Sequence, residues 1–419
     1  MIAALLALVA AARVVTLDDA LQTARERQPQ LRQARANTQA AGARARESLA
    51  PLLPQLNATA GYQRTTAHGI ERPGFVTVTD QPGTFNSFSD SINLSQLIFD
   101  FGAGPNRWNA AKAQADAQAA TERATALQVD FTVRSAYFDA RANRALLQVA
   151  RDNLANVQKH LLQTEGFVQA GTHAEIDLVQ ARTDTANARV QVINADNTYQ
   201  TSKLNLNAAM GVQGPTDYEI ADTTLGSVPG EDSALDALLD EANRARPEVQ
   251  SLEDQIRAAQ LTVRSIEGQY GPSLAATAGL TQGGPAVDRL GWNAAVGLSL
   301  SWNIFQGGLT RAQVGEAEAN VMAAVAQLDL QRQQVRSDVD GARLAIRAAK
   351  ETIGASQEAL FNAKERLRLA EQRYEVGVGS AIELGDAQLA LAQAAAQVVQ
   401  ADDRLATARA QLLRALGRQ

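Results

Sequence analysis

The stretch Val296–Gly308 reads VGLSLSWNIFQGG and changes from one kind of periodicity to another. Apolar residues alternate with small or polar ones as far as Ile304, and two glycines end the stretch. Alternation predicts a β-strand, because successive side chains point to opposite faces of a strand. The chain beyond Gly308 no longer alternates, so this stretch predicts a strand that passes directly into a helix.

The region after this strand is expected to form two very long helices. Residues 286–419 contain no proline, and a proline inside a helix costs about 3 kcal/mol. Large and small residues alternate at spacings of four and three as far as Tyr374, and the pattern restarts at Leu384. This heptad seam predicts closely packed coiled-coil helices. A helix from Leu309 to Tyr374 would be on the order of 100 Å long at 1.5 Å per residue.

The same organisation occurs twice along the chain. PQLNATAG (Pro54–Gly61) aligns with PSLAATAG (Pro272–Gly279) at an offset of 218, and LSQLIFDFG (Leu94–Gly102) aligns with LSWNIFQGG (Leu300–Gly308) at an offset of 206. The offsets differ by 12, so the first copy has the longer connection between its two strands. These connections are expected at about Gln63–Asp90 and Thr281–Gly291.

The N-terminus predicts export from the cytoplasm. Ile2–Ala12 is an apolar run too short to span a bilayer, which takes roughly 20 residues, and its last residues are small. Both features are typical of a secretory signal peptide. The expected organisation is a signal peptide over 1–12, a first repeat (helix, two strands, helical hairpin) over 13–211, a linker over 212–231 and a second repeat over 232–419.

The composition excludes several classes of function. The formal net charge is −6, which argues against a nucleic-acid partner because phosphates are neutralised by basic patches. The chain has no cysteine, so disulfides and thiolate chemistry are excluded. The three histidines are scattered, and no nucleophile lies near a base in the sequence. We therefore expect neither an enzyme nor a bound metal or cofactor.

The predicted strands have one apolar face and one polar face. The polar side of the best example consists of Gly297, Ser299, Ser301 and Asn303. An apolar face of this kind requires either lipid or a protein core. The residues expected to face lipid are Val296, Leu298, Leu300, Trp302 and Ile304 in the second copy, and Ile92, Leu94 and Ile98 in the first.

The number of strands restricts how this apolar face is covered. A soluble sandwich is one alternative, but the chain has only four such strands and no second sheet to cover them. Four strands cannot close into a membrane barrel either, because the smallest such barrels have about eight. Closure would require further copies of the chain, since two copies would provide eight strands and three would provide twelve.

The chain resembles the TolC-like outer-membrane efflux proteins over nearly its whole length. The resemblance lies in LAPLLPQLNATAGY (Leu49–Tyr62), SAYFDARA (Ser135–Ala142), SWNIFQGG (Ser301–Gly308) and YEVGVGSAIELGDA (Tyr374–Ala387). It implies an α+β membrane protein in which a homotrimer shares a twelve-stranded barrel in outer-membrane lipid and continues into an α-helical periplasmic tunnel. The expected passages from barrel strand to tunnel helix are Gly102, Gly307 and Gly308.

The resemblance implies a channel that exports small molecules or proteins to the cell exterior. Its expected partners are an inner-membrane pump and a periplasmic adaptor, also called a membrane fusion protein. The alternative is that the chain is itself a periplasmic adaptor or a coiled-coil scaffold of an efflux complex. An adaptor would carry a compact β-domain between its hairpin arms, and the sequence contains no such segment.

The resemblance also implies an acidic constriction where the helical hairpins turn. Glu383 and Asp386 fall on the matching positions and share one helical face, and Asp177 is the first-copy counterpart of Glu383. A structural role is the alternative for Glu383, because Ser380 and Glu383 have the spacing of a capping box.

A contact that holds neighbouring hairpins together is expected nearby. Tyr374 and Asp177 match residues that form this latch in closed channels of the family. Tyr374 also lies on the heptad seam, so simple packing is the alternative for it. A basic residue assists the latch in the family, and the matching residue here is Gly379.

Overall fold

The computed structural model describes residues 13–67, 83–172 and 174–419, so the expected signal peptide lies outside the described residues. Two series of elements follow one another in the same order, which confirms the predicted duplication. The first series is β1 (Arg13–Val15), α1 (Leu17–Arg27), α2 (Pro29–Leu49), β2 (Gln55–Ala67), β3 (Gly83–Phe99), α3 (Ala103–Gln169) and α4 (Glu175–Met210). The second series is β4 (Tyr218–Ile220), α5 (Leu235–Ala245), α6 (Pro247–Glu267), β5 (Ser273–Gly284), β6 (Gly291–Ser301), α7 (Leu309–Glu375) and α8 (Ala381–Ala415).

Each copy begins with two helices rather than the single helix that the sequence predicts. The break in the first copy lies at Gln28, before Pro29, and the break in the second lies at Arg246, before Pro247. Gln28 and Arg246 are both extended, with ψ of 120° and 121°. A residue before proline is disfavoured in the helical region, so each proline ends one helix and begins the next.

A small parallel sheet of β1 and β4 was not expected from the sequence. Val15 pairs with Ile220, and the buried Tyr137 donates a hydrogen bond from its hydroxyl to the carbonyl of Ala221 at 2.8 Å. Strands of three residues are too short to show alternation. The sheet holds the start of the first copy against the start of the second.

The long helices agree closely with the heptad pattern. α3 and α7 each contain 67 residues, and α4 and α8 contain 36 and 35. α7 covers the predicted Leu309–Tyr374 and one further residue. Val339, Ala342 and Ile346 on the predicted seam are buried. This burial confirms that the seam is the packed face of the helix.

The four long strands form one antiparallel sheet in the order β2-β3-β5-β6. Its register aligns apolar residues across all four strands, as in the ladder Leu56–Leu94–Ala278–Val296. Three residues along each strand, the polar ladder Thr59–Ser91–Thr281–Asn293 lies on the opposite face. The sheet therefore has one apolar and one polar side, and β2 and β6 are its two edges.

The strands do not end where the sequence predicts. β6 ends at Ser301, so Trp302 and Ile304 lie beyond the strand that was expected to include them. Ser301 pairs with Ser273, the first residue of β5. The residue before Ser273 is Pro272, which has no N–H to continue the ladder. The strand stops where its partner loses a donor.

The connections between strands are shorter than predicted. β2 extends to Ala67 and β3 begins at Gly83, so both ends of the expected Gln63–Asp90 loop are strand. Thr66 and Thr84, both expected in the loop, share a hydrogen bond of 3.0 Å between their hydroxyls. The ends of these strands are rich in polar residues, which gave them the composition of a loop. The second connection likewise shortens to residues 285–290.

A β-bulge interrupts β3 near Ile98. The register with β5 shifts between Leu97, which pairs with Ala275, and Phe99, which pairs with Leu274. Ile98 is therefore the extra residue of the bulge, and alternation breaks there. Ile92 and Leu94 precede the bulge and remain in the regular ladder.

Both junctions between strand and long helix contain two consecutive residues with positive φ. Phe101 and Gly102 have φ of 54° and 83°, and Gly307 and Gly308 have φ of 62° and 86°. This region suits glycine and is uncommon for other residues. Each pair lies directly before the first residue of a 67-residue helix.

The fold divides into two compact units, and each unit contains parts of both copies. One unit consists of Met1–Ala36, Ala120–Gln250 and Asp329–Gln419, and the other consists of Asn37–Ala119 and Ser251–Leu328. The sheet and the junctions belong to the second unit, and the turns of both helical hairpins belong to the first.

Among the described residues, no helix combines the length and apolarity that crossing a membrane requires.

Candidate functional site: the turns of the two helical hairpins

The turn between α7 and α8 is closed by backbone hydrogen bonds to the last residues of α7. Gly377 has φ of 78°, and its N–H donates to the carbonyl of Tyr374 at 3.0 Å. The N–H groups of Val378 and Gly379 both donate to the carbonyl of Arg373, at 3.0 and 2.9 Å. Glycine in the left-handed region with such bonds is a common way to end a helix.

Gly379, which replaces the expected basic latch residue, lies against the backbone of α7. A Cβ atom at this position would be 3.0 Å from the carbonyl carbon and Cβ of Arg373 and from the nitrogen of Tyr374. A basic side chain therefore does not fit here without moving the turn. The sequence did not reveal this packing constraint.

Glu383 has a different partner from the one that a capping box would provide. The Ser380 hydroxyl accepts a hydrogen bond from the Glu383 N–H at 3.1 Å, so Ser380 caps α8. The Glu383 carboxylate instead pairs with the Arg373 guanidinium, with Oε1 3.4 Å from Nε. The cap predicted from the sequence is present, but the Glu383 side chain joins the two arms of the hairpin.

Asp386 lies one turn further along α8 and is exposed. Within the described part of the chain its carboxylate forms no ion pair. It borders a groove that also contains Asp184 of α4, whose carboxylate accepts a hydrogen bond from Gln180 at 2.9 Å. Asp184 was not predicted, because its position in the middle of a heptad pattern has no special sequence signal.

The turn between α3 and α4 begins with the same backbone hydrogen bonds as the turn between α7 and α8 and carries different side chains. Gly171 has φ of 73°, and the N–H of Thr172 donates to the Phe167 carbonyl at 3.0 Å. The N-cap of α4 is Ala174, which has no side-chain oxygen to accept a hydrogen bond. Asp177 lies in the first turn of α4, and among the described residues it forms no ion pair. No described contact joins Asp177 to Glu383 or Asp386.

Tyr374 joins α7 to α3 of the same chain. Its side chain is 2% exposed, and its hydroxyl lies 3.3 Å from the hydroxyl of Thr164. Its ring packs edge-on against His160 at 4.9 Å between centroids and lies 6.1 Å from Phe167. Tyr374 is therefore both packed and hydrogen-bonded where α7 meets α3. Thr164 and His160 were not predicted.

A buried ion-pair cluster fixes the end of the predicted linker. Glu231 is buried, and its carboxylate lies 3.1 Å from Arg409 of α8 and 2.8 Å from Lys350 of α7. Burial opposes ionisation, but the hydrogen bonds from Arg409 and Lys350 outweigh it and lower the pKa of Glu231 to about 2. The 212–231 segment is thus attached to both helices of the second hairpin at its last residue.

The pKa of Asp403 in α8 is raised, in contrast to the lowered pKa of Glu231. Burial, together with the charges of Asp139 and Asp402, raises the pKa of its carboxyl to about 6. Its Oδ1 atom is buried and has no hydrogen-bond partner among the described residues. A carboxylate in such a place destabilises the fold when it is ionised.

Large apolar side chains are exposed on the sheet and on the long helices. Val296 is 89% exposed, and the other predicted lipid-facing residues are also accessible. Ile176, Val179, Val190, Ile193 and Leu204 form a stripe on α4, with exposures of 51–70%. This outer stripe of α4 was not predicted from the sequence. Among the described residues, no group of three or more acidic or histidine side chains could hold a metal ion.

Comparison with known sequences gives a consistent result. A family model described as outer membrane efflux protein matches residues 20–212 and 238–418. The chain is 28% identical to the solvent efflux pump outer membrane protein SrpC of Pseudomonas putida, in a match covering 68% of this chain and 61% of SrpC. It is 27% identical to outer membrane protein TolC of Escherichia coli K12, over 91% of this chain and 78% of TolC. The chain thus spans less than two thirds of SrpC.

Comparison with solved structures extends the likeness to the whole fold. The outer membrane protein VceC of Vibrio cholerae has a TM-score of 0.84 at 21% identity, and the match covers 96% of each chain. The outer membrane channel CmeC of Campylobacter jejuni has a TM-score of 0.84 at 18% identity, over 96% of this chain and 85% of CmeC.

Proposed function

The chain belongs to the outer membrane efflux protein family, and we propose that it forms the channel through which an efflux pump releases its cargo outside the cell. The family is one of transport proteins, and this agrees with a sequence that has no catalytic arrangement. The observation that carries the proposal is a four-stranded sheet with one apolar side and, among the described residues, two unpaired edges. Such a sheet is incomplete in a single chain.

The channel would be built by three copies of the chain. Edge strands expose unpaired backbone donors and acceptors, and in lipid these groups must be satisfied by pairing. β6 of one copy pairing with β2 of the next would close a barrel of about twelve strands. The apolar ladder would then face lipid and the polar ladder would line the lumen. The predicted lipid-facing residues of β3 and β6, including Ile98 at the bulge and Trp302 and Ile304 beyond β6, would lie on the outside.

The helices supply a second reason for assembly. The stripe on α4, formed by Ile176, Val179, Val190, Ile193 and Leu204, lies outside the packed seam of its own chain. A stripe of this length at heptad-like spacing suits a neighbouring helix rather than water. A second copy would cover it while the helices of three copies enclose a periplasmic tunnel.

The hairpin turns would form the periplasmic entrance of this tunnel. Glu383, Asp386 and Asp177 would line a constriction there, and Tyr374 would hold the two hairpins of each chain together. An inner-membrane pump and a periplasmic adaptor would deliver cargo to this entrance. Growth of a deletion strain with solvents and antibiotics, together with a survey of its secreted proteins, distinguishes small-molecule cargo from protein cargo.

Assembly is tested on the full chain extracted from membranes in detergent. We expect a trimer that dissociates on heating, and recovery of a soluble monomer without detergent would contradict the proposal. Ile193→Lys should weaken the trimer by placing a charge in the covered stripe. Gln191→Lys is the matched control, since Gln191 is an exposed polar residue two positions away. Equal trimer stability in the two variants would exclude the stripe as an interface.

A further inference from the structure

We propose that Arg373 is a specificity-determining residue of the channel entrance, where its guanidinium compensates the charge of Glu383. This inference rests on the proposed function, because a specificity at the entrance requires a channel. The carboxylates were expected to act as an acidic ring, and the structure brings a cation into the same place. The charge beside the start of α8 then depends on Arg373 as well as on Glu383 and Asp386.

The position of Arg373 is fixed by its backbone. Its carbonyl accepts the N–H groups of Val378 and Gly379, so the turn is attached to this residue. The neighbouring side chain of Tyr374 is buried against α3. Arg373 therefore remains beside the start of α8, and its Nε lies 3.4 Å from Glu383 Oε1.

The consequence of the ion pair is electrostatic rather than structural. Arg373 and Glu383 have side-chain exposures of 56% and 42%, and exposed pairs of this kind contribute little to stability. Their charges nevertheless add to the local field, which determines which ions enter a narrow passage. Glu383, Asp386 and Arg373 together carry a single net negative charge in each chain.

The first copy of the hairpin lacks this compensation. At the offset of 206, Phe167 occupies the position of Arg373, and Asp177 occupies the position of Glu383. Gln180 replaces Asp386, so the first hairpin also carries a single negative charge among these three positions. Arg373 thus makes the summed charge at these three positions the same in both hairpins, although the residues differ.

The experiment measures ion selectivity of the purified channel in planar bilayers. Arg373→Gln should raise the cation-to-anion permeability ratio by about twofold, because it leaves the carboxylates of Glu383 and Asp386 without the compensating positive charge. Glu383→Gln should lower the ratio, and the double variant Arg373→Gln with Glu383→Gln should return it to the wild-type value. Arg373→Lys keeps the charge and should leave the ratio unchanged. Block by Mg²⁺ should follow the same order.

Arg368→Gln is the matched control. Arg368 is an exposed arginine of α7 that pairs with Glu365 at 3.0 Å, so its replacement removes the same charge further from the turn. The ratio for Arg368→Gln should change less than that for Arg373→Gln. Equal effects would show that total charge, rather than position at the turn, sets selectivity and would overturn the inference.

Two other results would also overturn the inference. One is a wild-type ratio for Arg373→Gln, and the other is a double variant that behaves like Glu383→Gln alone. Failure of the proposed function would be distinguishable, because the wild-type protein would then form no conducting channel. The heat-sensitive trimer, measured for each variant, verifies that a change in selectivity does not arise from lost assembly.

Discussion

The turns of the two helical hairpins share a left-handed glycine and the backbone hydrogen bonds around it, but their side chains differ. Gly171 and Gly377 end the first helix of each hairpin in the same left-handed conformation. The second turn adds the Ser380 cap and the Arg373–Glu383 pair, whereas the first has Ala174 at its cap. Each turn thus keeps a left-handed glycine at the end of its first helix, and the side chains around that glycine differ.

The largest effect is expected at Gly379, which only the second hairpin requires to be small. Gly379→Ala would place a Cβ atom 3.0 Å from backbone atoms of Arg373 and Tyr374. Overpacking of this kind costs about 1–3 kcal/mol. The measurement is the midpoint of thermal unfolding at fixed protein and detergent concentrations.

A second glycine provides the control for this substitution. Gly354 lies inside α7, and a Cβ atom added there would meet no neighbouring group within 4 Å beyond the backbone of its own helix. Gly354→Ala should therefore stabilise the protein by about 0.5–1 kcal/mol through helix propensity. If Gly379→Ala also raises the midpoint, the close packing of the second turn is not a constraint.

Removing the cap of α8 should make the two turns more alike. Ser380→Ala removes the hydroxyl that accepts the Glu383 N–H. The loss of an N-cap costs about 1 kcal/mol, and fraying should be confined to the start of α8. Hydrogen exchange of the Glu383 amide is the direct measurement. Unchanged protection of that amide would mean that the cap does not stabilise the turn.

The next prediction concerns Asp403, whose counterpart in the first hairpin at an offset of 206 is Asn197. Its folded pKa of about 6 is above the ordinary value of 3.8, so the ionised carboxylate destabilises the fold above pH 6. This cost decreases as the pH falls from 6 towards 4 and is absent below the ordinary pKa. Asp403→Asn should therefore stabilise the protein by about 1 kcal/mol at pH 8, after allowance for partial exposure.

The pH dependence separates this explanation from a simple gain in packing. The difference in unfolding midpoint between Asp403→Asn and the wild type should shrink as the pH is lowered to 4. Asp402→Asn is the control, because Asp402 already pairs with Arg141 at 2.8 Å and should lose stability instead. A difference for Asp403→Asn that is the same at pH 8 and pH 4 would reject the assigned pKa.

The smallest effect is expected from giving the first hairpin the cap that it lacks. Ala174 has φ of −78° and ψ of 151°, close to the −90° and 154° of Ser380, so serine fits the same conformation. Ala174→Ser would also complete a capping box with Asp177, like that of Thr16 and Asp19 in α1. The gain should be about 0.5 kcal/mol. A lower midpoint would show that the two turns differ in backbone as well as in side chains.

Much of the fold could be predicted from the sequence because it depends on periodicity. The seam through Val339 and Ile346 is buried as expected, and the alternating strands form one sheet. The end of β6 could not be predicted from periodicity, because it depends on Pro272, which precedes the partner strand β5. The bulge at Ile98 depends on register between strands, which alternation within one strand does not contain.

The site was less predictable because its interactions cross between elements. The capping bond between Ser380 and Glu383 follows from local spacing, and it was identified correctly. The pairing of Glu383 with Arg373 depends on how the turn folds back on α7, which no spacing rule provides. The contact of Tyr374 with Thr164 joins residues 210 positions apart. Contacts between residues of different helices, such as these two, are seen only in the three-dimensional structure.

The paired positive-φ residues before α3 and α7 determine where the chain tolerates a change in length. The connection between β2 and β3 covers residues 68–82 and that between β5 and β6 covers 285–290, so the two copies accept different numbers of residues there. At the junctions the count is fixed, since the N–H of Leu309 bonds to the carbonyl of Gln306 across Gly307 and Gly308. One inserted residue at this point would rotate the following helix by about 100° and turn its seam away from its neighbour. Epitope tags and circular permutations therefore belong in the connections between strands, and the junctions must keep their length.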